Sequence, residues 1–382
     1  MAGDLILVVN AGSSSIKVAL FGTGDAAVAT GAVTEIGGKA RLKAGAEERG
    51  CKAPDHDTAL ALLLDRFAAT GFPLSRFHAA GHRIVHGGRD LTASTRVTDA
   101  VEAKIAACVP LAPLHNPHNL SGLRAVGRLA PGLPQVAVFD TAFHATNPEV
   151  ALRYALPAAE EAKGIRRYGF HGISYASLAA RLPVLLGAMP GRVLALHLGN
   201  GASLCAIRNG RSVATTMGYS PLDGLTMGTR TGAIDGNAVL RLAGDHGIEG
   251  AARILNRQSG LLALGGASDM RALHAAGTEA ARFAVAHFCY WAVRHAGSMV
   301  AAMGGLDCIA FTGGIGENDA EIREAISAGL GFLGVTLDPG ANAANAARID
   351  AGGPVATVIV AAAEEAFIAA EVRACLGRPG GT

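Results

Sequence analysis

Leu5-Ile-Leu-Val-Val-Asn10 is an unbroken apolar run. Such a run, bounded by turn residues, is the pattern of a strand buried on both faces. It stops at Ala11-Gly-Ser-Ser-Ser15 and resumes as Ile16-Lys-Val-Ala-Leu-Phe21, which ends at Gly22-Thr-Gly24. The segment reads as strand, tight polar turn and returning strand. Gly31 to Ile36 supplies a third strand, closed by Gly37-Gly38. The same order returns near mid-chain: Val193-Leu-Ala-Leu-His-Leu198 is apolar, Gly199-Asn-Gly-Ala-Ser203 turns, Leu204-Cys-Ala-Ile207 runs back to Asn209-Gly210, and Ser212 to Gly218 follows as a strand. The offset is about 188 residues, which sets Gly12 on Asn200 and Ser15 on Ser203. A repeat on this scale predicts two domains of like topology. Two such halves leave a cleft in which a ligand would normally sit.

Helical and strand patterns alternate around these hairpins. Asp57 to Ala69 carries Leu60, Leu63, Leu64 and Phe67 at helical spacing behind an Asp cap, with Gly71 beyond its end. Phe77 to Val85 and Gln135 to Phe139 predict buried strands, each ending in a polar cluster, Arg83 to Gly88 and Asp140-Thr141. Later helices are expected from Thr278 to about Met303, Ala320 to Ala328 and Glu364 to Leu376, the last after a strand from Pro354 to Val360.

Composition narrows the class. Of 382 residues, 50% are hydrophobic and only 15 are proline, so neither disorder nor a low-complexity fibre accounts for the 51 glycines. Glycine stands at nearly twice its usual share of about 7%, which implies close backbone approach in several places. A net charge of +2 with both signs dispersed gives no footprint for nucleic acid or a membrane surface. The six cysteines form no C-x-x-C, which argues against a zinc site or redox pair. The longest charge-free run, Ile105 to Leu123, holds three prolines and is no membrane span. With no secretory leader pattern, a soluble cytoplasmic protein is expected.

Familiar nucleotide motifs are missing. There is no G-x-x-x-x-G-K-[ST]. Gly22-Thr-Gly24-Asp-Ala-Ala27 is followed by a strand-like stretch, and Gly329-Leu-Gly331-Phe-Leu-Gly334 follows a helix, so neither offers a dinucleotide's phosphates a helix start. His82 and His86, four apart in a strand-like run, lack metal-ligand geometry. Three small-residue loops remain: Asn10 to Lys17, His197 to Gly201, and Gly313-Gly-Ile-Gly-Glu-Asn318 after the apolar run Cys308 to Phe311. Small side chains let backbone N–H groups face a phosphate. Arg83 and Arg230 also sit among glycines, where a guanidinium can form bidentate bonds to phosphate or carboxylate. Asp140 stands at a strand end and His171 in Tyr168-Gly-Phe-His-Gly172. Each residue alone fits a structural salt bridge or turn equally well. Their joint occurrence in glycine-flanked loops is harder to explain that way.

In order along the chain, VVNAGSSSIK (8–17), GHRIVHGG (81–88), PLHNPHN (113–119), VFDTAFH (138–144), YGFHGIS (168–174), HLGNGAS (197–203), MGTRTG (227–232) and FTGGIGEN (311–318) closely resemble the acetate kinases of the acetokinase family, which also holds propionate and butyrate kinases. The resemblance implies the duplicated ribonuclease H-like fold of the actin, sugar-kinase and Hsp70 ATPase superfamily. It places an N-terminal domain over 1–142 and a nucleotide-binding domain over 143–366, with a helix over 367–382 returning to the first. It also implies a homodimer and the reaction ATP + acetate ⇌ ADP + acetyl phosphate with Mg²⁺, or Mn²⁺ in its place.

By the same resemblance, Arg83 and Arg230 are expected to clamp acetate and the transferring phosphoryl group, and His171 to stabilise the transition state as a hydrogen-bond donor. Asp140 resembles the family's acid/base residue. Acetate is already ionised at about pH 7, so Asp140 is expected to position Mg²⁺ or arginine groups more than to move protons. Asn10 and Glu364 resemble the Mg²⁺ site. Lys17 resembles a lysine on ATP, and His197, Leu198, Gly199, Asn200 and Gly201 the phosphate loop. Asp269, Met270 and Arg271, with Gly314, Ile315, Gly316, Glu317 and Asn318, resemble the adenosine side. Val85, Leu114, Phe170 and Pro221 match the wall around the acetate methyl, which rejects larger acids only by fit. The chain departs from the family where Ala362-Ala363 replaces Thr-Asn or Thr-Asp before the metal-site glutamate. It departs again at Gly232-Ala-Ile-Asp-Gly236, which lacks a charge and a proline, and over a short stretch from Ala40 to Ala53. A propionate or butyrate kinase is the near alternative. An actin-like or Hsp70-like ATP switch is the distant one, and would not need Arg83, Pro221 or the apolar wall.

Overall fold

The computed structural model describes residues 4–377. β1 (Leu5–Ala11) runs antiparallel to β2 (Ser15–Phe21), with Asn10 opposite Lys17. β3 (Ala27–Thr34), β4 (Arg41–Ala44) and β5 (Glu47–Gly50) extend the meander to one edge. The divergent stretch from Ala40 to Ala53 is thus a short edge hairpin. On its other side β1 pairs in parallel with β6 (Phe77–Ile84), and β6 in parallel with β8 (Gln135–Phe139). The two-residue β7 (Thr95–Arg96) closes that edge. Leu5, Leu7 and Val9 pack with residues of the helices His56–Ala69 and Asn116–Leu129 in one core. The helix Glu364–Gly377 packs on β1, β6 and β8. Burial on both faces explains why β1 reads as a continuous apolar run.

The second sheet repeats this plan. β9 (Arg192–Leu198), β10 (Ala202–Arg208) and β11 (Arg211–Thr215) form the meander. β12 (Cys308–Thr312) pairs in parallel with β9, and β13 (Ala356–Ile359) in parallel with β12, as β6 and β8 follow β1. Tyr175, Leu178 and Leu182 of the helix Gly172–Leu186 form a core with Val193, Ala195, Cys205 and Cys308. The helix Glu279–Met303 also packs on β9, β10 and β11. The strands repeat 187 residues apart, not 188: Leu5–Ala11 corresponds to Arg192–Leu198 and Ser15–Phe21 to Ala202–Arg208. Arg192 already belongs to its strand, so an apolar run read from Val193 starts one residue late. The slip matters because neighbouring residues face opposite ways. Gly12 falls on Gly199, and Asn10 on His197.

The described chain divides into two compact units, one running to Ala142 and taken up again from Ala363, the other Phe143–Ala362. Glu364 therefore belongs to the first unit, and the boundary expected at 366 lies a few residues too late, because the returning helix already starts at Glu364. Residues 378–382 of the expected terminal helix lie outside the described residues. Asp55, not Asp57, caps the first helix, accepting the Thr58 N–H at 2.8 Å. The helix Gly236–Arg257 is capped by Asp235, so Gly232-Ala-Ile-Asp-Gly236 keeps a helix start without the family's proline. No helix among the described residues is long and apolar enough to cross a membrane.

Gly81 shows where the fold needs a missing side chain. A Cβ there would lie 2.6 Å from Val372 Cγ2 and 2.7 Å from Ile368 Cγ2 on the terminal helix. Gly81→Ala should destabilise the protein by about 1–3 kcal/mol, read as a lower Tm. Gly24→Ala, whose Cβ meets nothing within 4 Å, is the control. Equal Tm values for the two would contradict this packing.

Candidate active site

In the first unit, sheet register builds a charge cluster. Arg83 on β6 stands opposite Val138 of β8, and Asp140, just past β8, donates its backbone N–H to the Ile84 carbonyl at 2.9 Å. Arg83 Nη2 then meets Asp140 Oδ2 at 2.5 Å, and Glu364 Oε2 lies 4.0 Å from Arg83 Nε. Burial pulls the guanidinium pKa down, but Asp140 and Glu364 outweigh it and hold it above its ordinary value. The Asp140 side chain is 2% exposed and that of Arg83 25%, so the cation is anchored yet keeps an accessible edge. Lys17 is exposed on β2, opposite the half-buried Asn10.

Two asparagines of PLHNPHN tie this cluster's loops together. Asn119 Nδ2 donates to the Ala11 carbonyl at 2.8 Å, and its Oδ1 accepts the Val85 N–H at 2.9 Å. Asn116 Oδ1 accepts the His86 N–H at 3.1 Å, while its Nδ2 donates to the His86 carbonyl at 3.0 Å. One turn of helix thus fixes both the end of β1 and the backbone after β6. Val85 is buried, whereas Leu114, on the turn ahead of that helix, is 51% exposed.

In the second unit, His171 caps the helix Gly172–Leu186 in the left-handed conformation, with φ of 56°. Its Nδ1 lies 2.9 Å from Ser203 Oγ, and its ring stacks on His197 with centroids 4.1 Å apart. His197 Nδ1 lies 2.8 Å from Ser174 Oγ. Arg230 Nη1 donates to the Pro221 carbonyl at 3.3 Å, and burial lowers its pKa. A Cβ on Gly201 would sit 3.3 Å from His171 Nε2 and 3.8 Å from Arg230 Nη1. Glycine there keeps open a space shared by an imidazole and a guanidinium. Phe170 is buried, and its carbonyl lies 2.9 Å from His144 Nε2.

A cavity of about 720 Å³ in this unit is lined by Gly199, Asn200, Ser268, Asp269, Met270, Arg271, Gly314, Ile315, Asn318 and Asp319. Its volume suits a small-molecule ligand. Three separated stretches of sequence meet there. His197, Leu198, Gly201, Gly316 and Glu317, expected beside nucleotide, are outside this lining. Glu317 is a structural bracket: its Oε1 accepts the Gly313 N–H at 3.0 Å and the Ala362 N–H at 2.8 Å. That second bond anchors the backbone at the departure Ala362-Ala363. Gly313–Asn318, expected as a loop, is a helical turn directly after β12. Asp269 caps the helix Met270–Ala276 and pairs with Arg271 at 3.1 Å.

Anchored guanidinium groups, an oriented imidazole and a cavity rimmed by small residues suit a phosphate-bearing ligand and an anionic acceptor. The sequence profile of the acetokinase family matches residues 5–370. The chain belongs to the acetokinase family. Acetate kinase of Rhodopseudomonas palustris is 46% identical over 369 residues, covering 91% of this chain and 92% of its own. The crystal structure of Porphyromonas gingivalis acetate kinase matches with a TM-score of 0.92 at 36% identity, over 98% of this chain and 100% of its own. A propionate kinase structure from Francisella tularensis gives the same score and identity, over 97% and 99%. This acetokinase is therefore an enzyme of the kinase class, and its sheets in two units agree with an actin-like ATPase fold.

The site offers this acetokinase hard donors for a metal. Among the described residues, no group of three or more His, Cys, Asp or Glu could hold an ion unaided. Asn10, Asp140 and Glu364 supply oxygen atoms on the first unit, and the two carboxylates already face Arg83. That set fits a cation which keeps its waters and takes further ligands from phosphates. Residues not foreseen from sequence are the supports: Asn116, Asn119, Ser174, Tyr175 and Ser203. The asparagines lay inside a quoted motif, but nothing in their spacing names backbone partners 30 and 108 residues away.

His144 makes the support pH-sensitive. Its Nε2 donates to Phe170, its Nδ1 lies 2.9 Å from Ser212 Oγ, and burial lowers its pKa to about 4. Burial also brings His82 and His86 to about 4. Unfolded histidines titrate near 6.5, so between about 6.5 and 4 the unfolded chain binds more protons, and stability falls as pH falls. The urea midpoint should drop across that window, and less steeply in His144→Gln. A flat midpoint would contradict the neutral buried histidines.

Proposed function

We propose that this acetokinase transfers the γ-phosphoryl group of ATP reversibly to acetate, as a cytoplasmic homodimer using Mg²⁺ or Mn²⁺. The observation that carries the reading is the cavity whose rim joins the Gly199-Asn200 turn, the Ser268–Arg271 segment and the Gly314–Asn318 turn, a shape suited to adenosine with its phosphates leading out over small residues. Exposed Phe283 and Tyr290, seven residues apart on one helix, support a self-association surface.

The chemistry asks little covalent work of the protein. A carboxylate oxygen of acetate attacks the γ-phosphorus, the new P–O bond forms, and the bond to the β-phosphate's bridging oxygen breaks, leaving ADP. No proton moves, because the acceptor is already ionised. Arg83 holds acetate and the transferring group by bidentate bonds, with Asp140 fixing the guanidinium's direction. Arg230 and the Nε2–H of His171 stabilise charge on the transferring oxygens. Val85 and Leu114 of the first unit, and Phe170 and Pro221 of the second, are the residues assigned to the methyl group. Lys17, with His197 to Gly201, serves the phosphates. Asn10 and Glu364, with Asp140 nearby, would hold the divalent cation, directly or through water. When bound, the cation supplies charge neutralisation across the phosphates.

A propionate kinase is the second reading, favoured by the equal structural match to the Francisella tularensis enzyme. A hydroxamate assay over acetate, propionate and butyrate should give the highest kcat/KM with acetate. A maximum at propionate would favour the second reading, and no acyl phosphate with any acid would overturn both. ATP hydrolysis independent of acid would point instead to a nucleotide switch. Arg83→Ala and Arg230→Ala should each lower kcat by about 100-fold or more while the fold is retained by circular dichroism. Near-normal rates would remove these residues from the mechanism.

A further inference from the structure

Behind His171 lies a buried chain of hydroxyl groups. Tyr175 Oη and Ser203 Oγ are 2.5 Å apart, and Ser203 Oγ is 2.9 Å from His171 Nδ1. Tyr175 and Ser203 are both fully buried. The phenol oxygen of Tyr175 also receives the backbone N–H of His197, and burial keeps the phenol protonated. The direction of the chain then follows from proton counting. The phenol has one hydrogen, and Ser203 Oγ is the acceptor within reach. A buried donor left without a partner is costly. Ser203, having accepted from Tyr175, turns its own hydrogen to His171 Nδ1. The reverse order would leave the phenol hydrogen unpaired.

We propose that the Tyr175–Ser203 pair fixes His171 in the tautomer that carries its proton on Nε2, making both positioning residues for phosphoryl transfer. Nε2 is the atom beside the space left open at Gly201, and Arg230 Nη1 borders the same space, 3.8 Å from where a Cβ would sit. A donor and a cation then face one small space, as an anionic oxygen requires. Without the relay, Nδ1 could carry the proton and Nε2 would present a lone pair to that oxygen. His171 is already held in a left-handed backbone conformation uncommon for a side chain of its size. The relay adds the matching control of its proton. The kinetic consequence rests on the proposed role of His171, whereas the tautomer itself does not.

The test separates the two. In protein labelled with ¹⁵N-histidine, long-range ¹⁵N–¹H spectra at pH 8, with the His171 signals assigned through His171→Gln, should show protonated Nε2 and bare Nδ1. Tyr175→Phe, which keeps the ring in the core, and Ser203→Ala should both give mixed tautomers. They should lower kcat about 10-fold, with KM for ATP and acetate within about twofold. Ser203→Thr, which restores the hydroxyl, should recover the Nε2–H signature and most of kcat. A proton on Nδ1 in the wild type, or an unchanged tautomer in both hydroxyl deletions, would overturn the proposal. If the tautomer shifts as expected but His171→Gln retains full kcat, the relay stands and the catalytic role of His171 falls.

Discussion

A guanidinium drawn largely out of water must be paired, and much of the first unit is arranged to meet that requirement at Arg83. An unpartnered charge in that position would cost several kcal/mol. Asp140 and Glu364 meet the need from distant stretches of the sequence, one just past β8 and one at the start of the terminal helix. The parallel register of β6 and β8 brings Asp140 to the pair. Gly81, bare where the terminal helix crosses, lets Glu364 come close. The asparagines of the helix Asn116–Leu129 then pin the loops on either side. What results is a cation aimed and kept charged, with one accessible edge, which is what an anionic substrate needs from a protein that does no covalent chemistry.

The second unit solves the complementary problem with neutral groups. Its imidazole is oriented by hydroxyls, its arginine by the Pro221 carbonyl, and its cavity by turns too small to fill it. Both units use one device: a strand hairpin whose turn carries small residues, followed by parallel strands. Duplication gives two such turns. The Asn10 turn carries oxygen and ammonium groups, and the His197 turn carries an imidazole and open backbone, so the halves have diverged in chemistry while keeping topology.

Much of this was legible in the sequence. The hairpins at Leu5 and Val193 announced themselves because buried strands leave unbroken apolar runs. The three small-residue loops were visible because glycine and serine are seldom clustered without cause. Three of the longer helices escaped. The helices Asn116–Leu129, Gly172–Leu186 and Gly236–Arg257 each carry glycine or proline inside, among them Pro117, Pro183 and Gly247, and such residues read as breaks. The repeat offset was off by one because a charged residue opens β9. Glu317 read as a ligand-facing carboxylate, but its partners are backbone groups, one of them 45 residues away. Ser203 stood in a quoted turn and Tyr175 just past another, but neither pattern named the role of its hydroxyl, since a buried hydroxyl looks like any other core residue until its partners are known.

The central claim is that a carboxylate oxygen of the acid, held by the fixed arginines, attacks phosphorus directly. Acetate labelled with ¹⁸O in both oxygens tests it, because ³¹P NMR resolves ¹⁶O from ¹⁸O bonded to phosphorus. Direct attack predicts acetyl phosphate with one ¹⁸O on phosphorus and ADP with none. Acetyl phosphate whose phosphorus carries only ¹⁶O would contradict the account.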